Sequence, residues 1–220
     1  FFEEGKKKFN EEKYEDSKKL LKSTETWLKE YIFSYFEDAD LELSWSKVNK
    51  KPHDFLMENI VKMPQSSFAL EFGNIIHDAL KLISRGQAKL EDYTDEDETK
   101  SIKNGLDALE KMKNDHPGCK LKETEYDVKL PVKLLTDYNK ADLMFTGKID
   151  AVFEHDDGII LVDYKTSKGT DNVSVYKRQL AVYKKMYSEI KNIAEEKIKT
   201  CVIFVALRGG INTGKWDYSI

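Results

Sequence analysis

The chain has 220 residues, of which 40% are apolar and 35% charged, and a formal net charge of -4. That is enough apolar material for one good-sized domain or a domain with an appendage, and no run approaches the ~18 apolar residues of a membrane-crossing helix, so no membrane partner is expected. The two cysteines, Cys119 and Cys201, stand far apart without neighbouring metal ligands, which argues against a disulfide framework, a cysteine zinc site or an iron–sulfur cluster and fits a reducing, cytoplasmic compartment.

Because the chain starts at Phe1 rather than Met, it reads as a piece of a longer protein. Its net charge conceals an asymmetry. Residues 1–158 carry 25 Lys/Arg against 34 Asp/Glu, whereas residues 159–208 carry 10 against 5. A local basic surface matters more for phosphate binding than the total.

In residues 1–40, Trp27, Tyr31, Tyr35 and Phe36 recur at spacings that predict one or two charged helices, an appendage or interface. LELSWS (41–46) is extended and leads into a helix that stops at Pro64, so residues 1–64 are assigned to a helical lead-in and residues 65–220 to the main domain. SSFALEFGNIIHDALKLIS (66–84) predicts a helix capped by Ser66 or Ser67, with Phe68, Phe72, Ile75, Ile76, Ala79, Leu80 and Ile83 on one face. After Gly86, the acidic DYTDEDETKS opens a second helix that ends near Asp115, before the stop signal HPG.

The period then changes. ETEYDVKLPV (123–132) alternates, DLMFTGKIDAVFE (142–154) and GIILVDYKT (158–166) are rich in strand formers, and HDDG between the last two predicts a hairpin turn with Asp157-Gly158 at its tip. SVYKRQLAVYKKMYSEI (174–190) places Tyr176, Leu180, Tyr183, Tyr187 and Ile190 at helical spacing, and TCVIFVAL (200–207) predicts a buried strand. The order is that of an α/β sheet with helices packed on it.

Asp163 and Lys165 stand two apart at the end of a greasy strand, so both project from the face that also carries Ile159 and Leu161. The preceding strand returns through HDDG, and its Asp150 can lie across from them. Two carboxylates so placed repel and resist burial unless a cation neutralises them, and such oxygen ligands suit Mg²⁺ or Mn²⁺. The alternative is a plain Asp–Lys pair at a sheet edge. His77 falls just beyond the apolar arc of its helix, one turn after Gly73, either pointing into a gap or satisfied as a partly buried histidine. Gln179 sits one turn before Tyr183. Around them Lys177, Arg178, Lys184 and Lys185 form either a solvated face or one that follows a phosphate backbone.

Taken in order, FGNIIH (72–77), GKID (147–150), VDYKT (162–166) and RQLAVY (178–183) resemble the four signatures of the RecB-like branch of the PD-(D/E)XK nuclease superfamily. LSWSKVNKKPHDFLMENIVKMP (43–64) is similar to the lead-in of nuclease domains fused behind UvrD/Rep-like helicases, and the missing cysteines match the cluster-free, AddA- or RecB-like type. The resemblance implies a restriction-endonuclease-like αβββαβ core, a mixed central sheet flanked by helices, with residues 65–220 as the nuclease domain behind the helical extension. It further implies a DNA nuclease using Mg²⁺ or Mn²⁺, acting on a single strand or duplex end, with a linked or associated helicase domain as partner, in DNA repair or recombination.

Residue by residue, the resemblance makes His77, Asp150 and Asp163 metal ligands, with the Tyr164 carbonyl adding a backbone ligand. Lys165 would position or activate the attacking water. Gln179 and Tyr183 would support the site or the strand, and Glu125 or its rival Glu123 would be the acid of the first strand. With an ordinary lysine pKa of ~10.4, Lys165 suits charge stabilisation better than general-base work. The competing function is a non-catalytic nucleic-acid-binding or assembly module that keeps the fold. Two motifs are decoys. GGINTGKW (209–216) has phosphate-loop spacing but Trp216 in place of the magnesium-binding Ser/Thr, and the DEDE run (95–98) lacks the alternation of a calcium loop.

Overall fold

A computed structural model describes residues 42–55, 68–136, 143–167 and 172–206, together with Thr26, Lys29, Glu30, Ser34, Glu58 and Gly169. The aromatic repeat of Trp27, Tyr31, Tyr35 and Phe36, the stop at Pro64, the Ser66/Ser67 cap and the GGINTGKW loop lie outside the described residues. In chain order the elements are β1 (Glu42–Ser44), α1 (Trp45–Val48), α2 (Pro52–Phe55), α3 (Phe68–Ser84), α4 (Glu96–Asp115), β2 (Lys120–Pro131), β3 (Met144–His155), β4 (Gly158–Lys165), α5 (Val173–Lys191) and β5 (Ile198–Phe204).

Strand β3 is the centre of a mixed sheet. On one flank it pairs antiparallel with β2 along most of its length. On the other, β1 runs parallel to residues 144–146 and β4 antiparallel to residues 151–155. Beyond β4, β5 continues in parallel. Helices α3 and α4 cover one face, where Ile76, Leu80 and Ile102 meet Phe153, Ile160 and Ile203. Helix α5 covers the other, where Leu180, Met186 and Tyr187 meet Val152, Leu161 and Phe204. With both faces covered, β4 reads as an unbroken apolar run, GIILV, rather than an alternation.

Local chemistry sets the ends. The Asp95 side chain accepts from the backbone N–H of Asp97 and Glu98, both at 3.0 Å, and Glu96, Asp97 and Glu98 fill the first turn of α4. The DEDE run is therefore a helix start. The hairpin tip is Asp156-Asp157 rather than Asp157-Gly158, because Gly158 already pairs with His155; Gly158 has φ +154, and a Cβ there would stand 2.0 Å from the Lys197 carbonyl. A further expectation needs correction. Ile75, placed on the apolar face of α3, is 40% exposed because it sits a step off the stripe of Ile76, Ala79 and Leu80. Among the described residues no helix is long and apolar enough to cross a membrane.

Candidate active site

The β3–β4 ladder runs from His155↔Gly158 to Ala151↔Val162 and stops there. The next rung would place Asp150 against Asp163. Instead the strands part, and the Tyr164 N–H donates to Asp150 Oδ2 at 2.7 Å. Strand β4 stays with β5, as Asp163↔Val202 and Lys165↔Phe204, and the Val205 N–H donates to the Lys165 carbonyl at 3.0 Å. Since β1 leaves β3 at Thr146, residues 147–150 have no ladder partner on this flank among the described residues. The fork is a gap in the sheet with the GKID segment along its floor.

A kink on the opposite flank aims Asp150 into that gap. Glu125 has φ +55, left-handed backbone inside a strand, which costs about 1–3 kcal/mol and persists only where surroundings enforce it. In a regular strand, residues two apart share a face. Here Ile149 packs under α5 while Ala151 packs under α3 and α4. Asp150 occupies the crossover.

Helix α3 roofs the fork over a cleft of about 580 Å³, with Gly73, His77, Lys148, Asp150 and Lys165 in its walls. His77 Nδ1 lies 3.3 Å from Asp150 Oδ1, and the ring stands edge-on to Tyr164 with centroids 5.8 Å apart. Burial alone would lower the His77 pKa, but the hydrogen bond and charge of Asp150 outweigh it and hold it above the ordinary value. A Cβ on Gly73 would meet Thr166 Oγ1 at 3.4 Å, so the helix passes at ordinary contact distance rather than the close approach expected of a glycine.

Asp163 is 3% exposed, and burial pushes its carboxyl up to about 6, with Lys165 pulling it down and Asp150 pushing it further up. Lys165 hydrogen-bonds Asp163 Oδ1 at 2.9 Å. Its Nζ is also 2.7 Å from Oδ2, yet that oxygen receives no donor in bonding geometry. Burial opposes the Lys165 charge, but Asp163 more than restores it, and Nζ also sits 4.9 Å above the Tyr176 ring. The lysine is therefore a cation, suited to stabilising negative charge.

The remaining candidates divide. Tyr164 is buried and provides the N–H to Asp150, while burial pushes its phenol far above the ordinary value. Gln179 Nε2 donates to Tyr183 Oη at 3.3 Å, and the Tyr183 ring fills the place of a side chain on Gly147, where a Cβ would come within 2.4 Å of it. Glu125 lines the cleft, whereas Glu123 lies 3.7 Å from Lys191. Lys177 and Arg178 lie on α5 outside the cleft lining, Arg178 Nε donating to the Ser174 carbonyl at 3.4 Å. Lys148 lines the cleft unanticipated, although it stands inside the GKID signature.

Among the described residues no group of three or more His, Cys, Asp and Glu side chains is gathered to hold a metal. Each carboxylate has its own partners: Asp150 takes His77 and a backbone N–H, and Asp163 takes Lys165. The donor set nevertheless suits a hard divalent cation, with two carboxylates and an imidazole at one fork, and the buried Asp163 Oδ2 has an acceptor to spare.

A helix over a forked sheet, with an acidic residue on each prong and a lysine beside one, defines a nuclease-type α/β fold. Residues 46–209 match the family model of the PD-(D/E)XK nuclease superfamily, and the chain belongs to that superfamily. It is 30% identical over 100 residues to an ATP-dependent helicase/nuclease polypeptide of Thermoanaerobacter sp. (strain X514) and, equally, to its counterpart in Thermoanaerobacter pseudethanolicus (strain ATCC 33223 / 39E). Each match covers 41% of this chain and 8% of the relative. The crystal structure of SSO0001 is 16% identical with a TM-score of 0.30, covering 71% of this chain and 74% of that one.

Proposed function

We propose that the chain is a divalent-metal-dependent deoxyribonuclease, the nuclease module, residues 65–220, of a longer helicase–nuclease that processes DNA in repair or recombination. The observation that carries it is the fork, where Asp150 and Asp163 occupy the first unpaired rung between β3 and β4, beneath His77 and beside Lys165. The superfamily supports a nuclease-type function, and the helicase/nuclease relatives support the larger setting. Two free cysteines fit a reducing, cytoplasmic compartment.

Asp150, Asp163 and His77 would hold Mg²⁺ or Mn²⁺, with the Tyr164 carbonyl as a backbone ligand. When bound, such a cation supplies Lewis acidity toward the phosphodiester and lowers the pKa of water. The chain's own groups do the rest. The Lys165 ammonium, held beside Asp163, would orient the attacking water and stabilise charge that develops on the phosphate. The Tyr164 N–H keeps Asp150 fixed, and Gln179 keeps Tyr183 against Gly147 beside the strand's path.

Calorimetric titration with Mn²⁺ tests the ligand set. Binding to the wild type that is lost in both Asp150→Ala and Asp163→Ala is expected. The rival is a module that keeps the fold and binds nucleic acid without cleaving it. A wild type that binds DNA but takes up no Mn²⁺ would establish that rival.

A further inference from the structure

Three hollows meet at one ion pair. The cleft over the fork has both Glu125 and Lys148 in its wall. A second hollow of about 490 Å³, bounded by β1 and Tyr183, shares Lys148. A third of about 370 Å³ runs along β2 beside Arg85 and shares Glu125. Taken as one groove, they cross β3 where, among the described residues, it lacks a ladder partner on the β1–β4 flank. Lys148 Nζ stands in it, 3.0 Å from Glu125 Oε2 and 4.0 Å from Asp127 Oδ1.

Three acids, Asp78, Glu125 and Asp150, line the cleft together with two lysines, of which Lys165 is tied to a buried carboxylate; Arg85, Lys122 and Lys129 line the outer hollows. Lys148 differs: its side chain is 51% exposed, and an ion pair so exposed is weak and readily exchanged. Its partner is the residue that β2 holds in left-handed backbone, a strain of the kind stored at ligand sites. Lys177 and Arg178, on the face that either is solvated or follows phosphate, lie outside this lining. We infer that Lys148 is a substrate-binding residue that exchanges Glu125 for a backbone phosphate flanking the scissile one, on a strand lying along the groove. This rests on the nuclease reading and extends it to the path of the substrate.

The test is the salt dependence of binding, which counts phosphate contacts and which a structural role leaves unchanged. The full chain is titrated with a labelled oligothymidylate in EDTA over a range of KCl, as wild type, Lys148→Gln, Lys148→Arg and the distant control Lys103→Gln. For Lys148→Gln the slope of log K against log [KCl] should become shallower by about 0.7, the share of one single-strand phosphate contact. Lys148→Arg should restore it, and Lys103→Gln should leave it unchanged. In Mn²⁺, Lys148→Gln should raise KM while kcat holds. A wild type that binds and cleaves, with the same slope in Lys148→Gln, would overturn the Lys148 contact alone. A wild type that neither binds nor cleaves would overturn the nuclease reading with it.

Discussion

His77 and Asp163 at the fork and His116 and His155 at the opposite end of the sheet respond to pH in opposite senses. Burial, then the Lys199 charge, holds His155 below its ordinary 6.5, and His116 is lowered by the same causes together with His155. Asp156 and Asp157 face His155 and only partly offset this. A histidine with a depressed folded pKa leaves the unfolded chain binding more protons, so it costs stability as pH falls below about 6.5. For His77 and Asp163 the folded pKa is raised, so their contributions are present at low pH and are lost as pH rises, for Asp163 through about 6. The wild-type profile mixes both signs, and the difference made by one substitution separates them. His155→Asn can keep an acceptor for the Asp157 N–H, now bonded to Nδ1 at 3.3 Å, and cannot be protonated. Its melting temperature should fall less than the wild type's between pH 7 and 5.5; an equal or steeper fall would refute the assignment.

At the scale of elements, Gly147 joins β3 to α5. A Cβ there would press into the Tyr183 ring, which is itself buried, so the strand or the helix must give way. Gly147→Ala is expected to cost about 1–3 kcal/mol in denaturant unfolding, the usual cost of overpacking, and to weaken the Gln179–Tyr183 bond. Unchanged stability would show that the ring has room to move. The GKID signature puts this glycine three residues before Asp150, so its importance was legible in the sequence, while the reason for it was not. Contact with Tyr183 depends on how α5 lies across the sheet, a non-local fact. The same holds for β1, whose three residues pair in parallel with residues 144–146 and close one flank of the fork. Nothing in LELSWS marks that partner, and α-helical or strand periodicity carries no information on pairing at a distance.

For the whole molecule, the order of helices and strands from residue 68 onward was legible because α3 and α5 each have a patterned face and β4 is a continuous apolar run. The candidate site was legible as residue types but not as geometry. D-x-K at a strand end singled out Asp163 and Lys165 as candidates, and the hairpin through HDDG brings Asp150 near them. The face reversal at Glu125 and Asp150 was hidden, since a non-glycine residue in left-handed backbone leaves no trace in composition. Lys148 was hidden too, because the local density of positive charge points to α5 and away from β3. If the fork hydrolyses DNA with a bound divalent cation, the most direct test is incubation of end-labelled single- and double-stranded DNA with the chain in Mg²⁺, Mn²⁺ or EDTA, beside Asp163→Ala and Lys165→Ala. Cleavage should require metal, be abolished in Asp163→Ala, and fall about 10²–10³-fold in kcat for Lys165→Ala. Cleavage that persists in EDTA, or at the wild-type rate in both variants, would contradict that central claim.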